Sequence, residues 1–90
     1  MAEIDIQTEE ELPRGWRYTV RISKGGAETV HTVTLSWADH EFWSGGMAAP
    51  SKVLEAVVRF AVERRGELPE RFDASTVRRW YPEVDKGLVF

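Results

Sequence analysis

The chain reads as a small α+β domain. An antiparallel β-hairpin, with room for a third short strand, packs against one long and two short helices. Three observations predict this. Residues 14–23 and 28–35 alternate apolar and polar side chains on either side of a Gly-Gly turn. Residues 50–65 carry an apolar stripe at helical spacing. Residues 71–83 mark both ends of a short helix.

Glu3, Asp5, Glu9, Glu10 and Glu11 give residues 1–11 a charge of −5, with no base among them. Residues 1–12 are therefore expected to be a flexible, solvated acidic leader, with a single domain over 13–90. The alternative is an acidic arm that covers a basic face in the same molecule or in a partner.

The first strand is predicted over Arg14–Ser23. Trp16, Tyr18, Val20 and Ile22 take one face, and Arg17, Thr19, Arg21 and Ser23 the other. Lys24-Gly25-Gly26-Ala27 is the turn, because two glycines tolerate positive φ. In the second strand, Glu28–Leu35, the residues His31, Val33 and Leu35 share a face, opposite Val30, Thr32 and Thr34. A hairpin has two unpaired edges, so dimerisation through an edge is an expected way to cover one.

Ser36-Trp-Ala-Asp39 has the spacing of a capping box, which predicts a helix over 37–43 ended by Gly45 and Gly46. Trp37, Phe42 and Trp43 are assigned to its apolar side, and His40 and Glu41 to solvent. The main helix spans Pro50–Arg65, with Pro50 at its first position and Gly66 past its end. Val53, Leu54, Val57, Val58, Phe60, Ala61 and Val62 form its buried face. Glu55–Arg59 and Arg59–Glu63 are i,i+4 pairs on the other side.

Asp73 is placed to cap the last helix, over 74–81, with Phe72 and Val77 as a hydrophobic staple and Pro82 as its stop. So short a helix is unstable alone, and Val77, Trp80 and Tyr81 are what it docks with. Val84–Phe90 is expected to lie free or to add a strand or plug at the sheet edge.

Ninety residues make one domain. Such a chain exposes roughly 5,400 Å² when folded, which leaves one modest core and no room for a deep enclosed site. There is no Cys, so disulfides, thiolate catalysis and Cys-based metal sites are excluded. No apolar run reaches the length of a membrane span, and the acidic start is unlike a signal peptide.

The two histidines, His31 and His40, read as structural or surface residues. Adjacent residues in Asp39-His40-Glu41 diverge on a helix and cannot converge on a metal. No catalytic constellation, cofactor motif or metal site is recognisable. Residues 12–90 hold twelve Lys and Arg against ten Asp and Glu. Within that mildly basic part, Arg17, Arg21, Arg78 and Arg79 are the candidates for an anion or nucleic-acid patch. Trp43, beside Gly45 and Gly46, is the candidate for an exposed aromatic partner surface.

The order Val33-Thr34-Leu35-Ser36, Gly45-Gly46, Pro50 opening an aliphatic helix, Glu63-Arg64, then Arg71-Phe72-Asp73-x-Ser75 and an aromatic pair before Pro82-Glu83 resembles a family of small, uncharacterised bacterial proteins. The resemblance runs from about Tyr18 to Glu83, and the closing motif is its most specific part. Residues 37–43 are more aromatic and less acidic than the family pattern. The resemblance implies a bacterial, cytoplasmic single-domain protein and carries over no site residue. The expected function is a non-enzymatic protein-interaction or accessory module, without cofactor, acting on a protein partner. A nucleic-acid-binding regulator or antitoxin-like domain is the alternative.

Overall fold

The computed structural model describes residues 2–88 and 90; Met1 of the expected leader and Val89 of the closing segment lie outside them. The elements in chain order are β1 (Glu3–Leu12), β2 (Gly15–Lys24), β3 (Ala27–Ser36), α1 (Trp37–Ser44), α2 (Pro50–Arg64), β4 (Arg71–Asp73), α3 (Ala74–Trp80) and α4 (Val84–Gly87). The α+β class is as expected. The sheet is larger than a hairpin: four strands in the order β1-β2-β3-β4. The first three are antiparallel neighbours, and β4 lies parallel to β3 over Thr32–Thr34.

Residues 3–12, expected to be flexible, form the edge strand β1. The two-residue turn Pro13-Arg14 returns the chain so that Leu12 faces Gly15, and Pro13 presets the backbone angle such a turn needs. An irregularity between Ile6 and Thr8 shifts the register by one residue. Ile4 and Ile6 therefore pack on the core, while Glu9 and Glu11 stand beside Tyr18 and Trp16 further along. The second hairpin is built as expected, with Gly25 and Gly26 both at positive φ, 60° and 83°.

Among the described residues, the helices pack on one face of the sheet. Tyr18, Val20, Ile22, His31, Val33 and Leu35 point into that face. All but His31 meet Val53, Leu54, Val57, Val58 and Ala61 of α2 and Val77 of α3 in one apolar cluster. The total exposed area is 5610 Å², close to what the chain length requires of a folded domain.

The helix ends follow their local chemistry. The Asp73 carboxylate accepts from Ser75 N at 2.9 Å and caps α3, and the same group accepts from the Thr34 hydroxyl of β3 at 2.6 Å. α2 ends one residue before the expected place, with Arg65 already extended. Arg59 does not hold Glu55 or Glu63: its guanidinium donates to the carbonyl of Ala2 at 3.2 Å and ties α2 to the start of β1. Residues 84–87 are a helical turn rather than a strand, anchored by fully buried Val84.

Candidate functional site

The α1 helix begins at Ser36, whose hydroxyl accepts from Asp39 N at 3.0 Å. It ends at Gly45 in the left-handed conformation, φ 61°, where the Gly45 amide donates to Glu41 O. The Ser44 hydroxyl donates to His40 O and accepts from Gly46 N, so the Gly45-Gly46 turn is a fixed stop. Asp39 does not complete a reciprocal capping box. Its carboxylate reaches Arg78 instead, at 3.4 Å.

One face of α1 is anchored to the domain. Trp43, expected to be partly exposed, is only 8 % accessible. Its indole N–H donates to Asp85 of α4 at 2.8 Å. His40, expected to face water, is half-buried. It donates from Nε2 to Ala48 O at 2.7 Å and meets the Trp16 ring edge-on. That carbonyl can only accept, so Nε2 carries the proton.

The opposite face is exposed. Each helical residue turns by about 100°, so Trp43, His40 and Ser44 fall in one half of the circumference of α1, and Trp37, Ala38, Glu41 and Phe42 in the other, with Trp37 about 120° from Trp43. With Trp43 inside, Trp37, Ala38, Glu41 and Phe42 fall outside. Trp37 is 55 % exposed, Phe42 63 % and Met47, just past the turn, 84 %. Trp37 and Phe42 lie on α1 and Met47 just beyond its Gly45-Gly46 stop, so these side chains, and not Trp43, are the exposed large apolar groups of this region. Gly45 and Gly46 remain at its border, both exposed.

The four candidate arginines do not form one patch. Arg78 lies between two carboxylates and two rings. It donates to Asp85 at 3.0 and 3.1 Å and to Asp39 at 3.4 Å, with its guanidinium carbon 4.9 Å from the Trp43 centroid and 5.2 Å from that of Phe42. Burial lowers its pKa, but pairing with Asp85 and Asp39 outweighs this and leaves it above the ordinary arginine value. Arg78 is therefore a structural clamp joining α1, α3 and α4. Arg79, next to it, is exposed.

Arg17 and Arg21 sit on the open face of the sheet, but acidic side chains of β1 and β3 pair with them. Arg17 pairs with Glu10 at 2.8 Å. Arg21 pairs with Asp5 at 3.3 Å and with Glu28 at 3.8 Å. The acidic segment thus covers a basic face of its own molecule, the second of the two readings its charge allowed. Each exposed pair adds only about 0–1 kcal/mol of stability, yet together they cancel the charge an anion would seek.

A second concave feature lies at one end of the sheet. Ile22, Lys24, Ala27, Thr29 and His31 form one wall, and Val62 with Arg65–Leu68 forms the other, around about 390 Å³. His31 is 4 % exposed. Its Nδ1 donates to Pro69 O at 2.6 Å, and its Nε2 is 2.8 Å from the Thr29 hydroxyl. The Pro69 carbonyl places the proton on Nδ1, so in the neutral ring Nε2 accepts from Thr29. This is the structural histidine the sequence implied.

Among the described residues no group of three or more His, Asp and Glu is placed to hold a metal. No helix there is long and apolar enough to cross a membrane. Compared with family models, curated proteins and solved structures, the chain matches none.

Proposed function

We propose that this chain is a non-enzymatic protein-interaction module that docks an apolar surface of a protein partner onto the outer face of α1. The observation that carries this reading is the exposure of Trp37 and Phe42 on α1, and of Met47 just past its end, while the other face of α1 is clamped by Trp43, His40 and Arg78. Trp37 and Phe42 have few rotamers and are held out by a rigid base, so they lose little entropy on binding, and aromatic anchors dominate interface energies. The internal pairing of Arg17, Arg21 and Arg78 argues against a phosphate-binding face. A bacterial, cytoplasmic setting and kinship with the small uncharacterised family belong to the same proposal and rest on the closing Arg71–Glu83 motif.

The test compares the wild-type chain with Trp37→Ser/Phe42→Ser as bait. The captured protein is then purified and titrated against both at low and moderate salt. Binding that is lost in the double variant and nearly independent of salt supports the proposal. Binding unchanged in a variant that keeps its circular dichroism overturns it.

A further inference from the structure

We propose that the cavity between the Lys24 end of the sheet and the C-terminal end of α2 binds an apolar carboxylate, either a small carboxylic acid or the C-terminal residue of an extended peptide. This site is separate from the α1 surface and does not depend on it. Its volume, about 390 Å³, is that of a small-molecule pocket. Ile22, Val62 and Leu68 supply an apolar lining, and Lys24 and Arg65 supply two cations.

Neither cation forms an ion pair among the described residues. Lys24 Nζ makes only a long contact, 3.4 Å, with the Val62 carbonyl. That contact offsets the partial negative charge of the last turn of α2, which would otherwise oppose an anion. Arg65 spends Nε on the Glu67 carbonyl at 3.3 Å and lies over the Trp80 ring at 4.1 Å, so its plane is held while its terminal nitrogens have no acceptor among the described residues. A held guanidinium with free terminal N–H groups is suited to a carboxylate. Glu67 is the one acidic residue in the lining, against two cations. His31 closes the wall with both ring nitrogens engaged and does not compete for the ligand.

The adjacent strand edge favours the peptide form of the same chemistry. β4 pairs with β3 only over Thr32–Thr34, and Thr32 N donates to Glu70 O. Alternation along a strand then turns the main-chain groups of Val30 and Glu28 toward the same edge, beyond the reach of β4. A chain whose terminal carboxylate lies between Lys24 and Arg65 can pair with that edge.

The experiment is an NMR titration of the full chain with four probes: 4-methylpentanoate, its primary amide, the tripeptide Ala-Ala-Leu with a free carboxylate, and the same tripeptide amidated. The acids are expected to shift the Thr29, His31 and Gly66 amides saturably, with each amidated probe binding more weakly by about tenfold or more. Lys24→Ala/Arg65→Gln should weaken the acids by about tenfold or more. Tighter binding of the tripeptide acid, with shifts at Glu28 and Val30, assigns a chain terminus as the source; tighter binding of the free acid assigns a small molecule. Equal binding of acid and amide overturns the proposal, as does the absence of saturable shifts at about 10 mM, a weak limit for any specific site. The acid–amide comparison uses the wild-type chain, so it stands even if the double variant fails to fold.

Discussion

Asp73 joins two layers of the fold through one carboxylate, and Asp73→Ala should cost more than an ordinary helix cap. The carboxylate caps α3 through Ser75 N, and its other oxygen accepts from Thr34 on β3. Loss of a cap costs about 1 kcal/mol. A hydrogen bond to a charged group contributes about 1.5–3 kcal/mol when buried, and both partners here are half-exposed, so about 1 kcal/mol is the working figure. The total is about 2 kcal/mol. At about 2.1 cal/mol/K of unfolding entropy per residue, this lowers Tm by roughly 10 °C. The assay is urea denaturation with calorimetry on wild type, Asp73→Ala, Thr34→Val and the double variant. Thr34→Val should cost about 1 kcal/mol, and the cycle should show a coupling of about 1 kcal/mol. A loss below about 0.5 kcal/mol for Asp73→Ala, or strict additivity with Thr34→Val, would refute the reasoning.

Val57 is fully buried beneath the sheet, so Val57→Ala should cost about 2 kcal/mol by denaturation; a loss within about 0.5 kcal/mol would mean the α2 face is misplaced. Burial, then the hydrogen bond to Glu9 and the charge of Glu9, hold the Tyr18 phenol far above its ordinary value. The folded state therefore keeps this proton where the unfolded chain loses it, so its contribution is full below about pH 10 and falls as pH rises further. In an alkaline titration followed by phenolate absorbance and circular dichroism, one of the two tyrosines should ionise only as the chain unfolds; both ionising in a folded chain would contradict this. Titration against mixed duplex DNA and RNA should show weak binding at low salt. Micromolar binding with a steep salt slope, abolished by Arg17→Ala/Arg21→Ala or Arg78→Ala/Arg79→Ala, would favour the nucleic-acid reading.

The parts of the fold legible in the sequence are those with an uninterrupted period. β2 and β3 each bury one face, so Tyr18, Val20 and Ile22 alternate cleanly with Arg17, Thr19 and Arg21. α2 presents a broad stripe for the same reason. β1 was hidden because the irregularity after Ile6 breaks the alternation, leaving Glu9 and Glu11 where apolar residues would continue it. β4 has three residues, too few for any period, and its parallel pairing depends on how α1 and α2 fold back.

The candidate site was half legible. The sequence marked α1 and its Gly-Gly stop, but Trp37, Phe42 and Trp43 are spread so widely around the helix that its angles alone do not say which of them is buried. Which of them faces inward is decided by Asp85, more than forty residues away, and no local pattern carries that choice. The same holds for Arg78, whose partners Asp39 and Asp85 lie on other elements. The cavity at the sheet end is assembled from β2, β3 and the segment after α2, so it exists only once the fold does.

The most direct test of the α1 surface is photo-crosslinking from within it. A benzophenone side chain is placed at Phe42, or at Thr19 on the open face of the sheet as a control. Each protein is irradiated with the purified partner identified by capture. The account predicts a discrete adduct from position 42, suppressed by Trp37→Ser, and none from position 19. Crosslinking from position 19 alone, or equally from both, would contradict it.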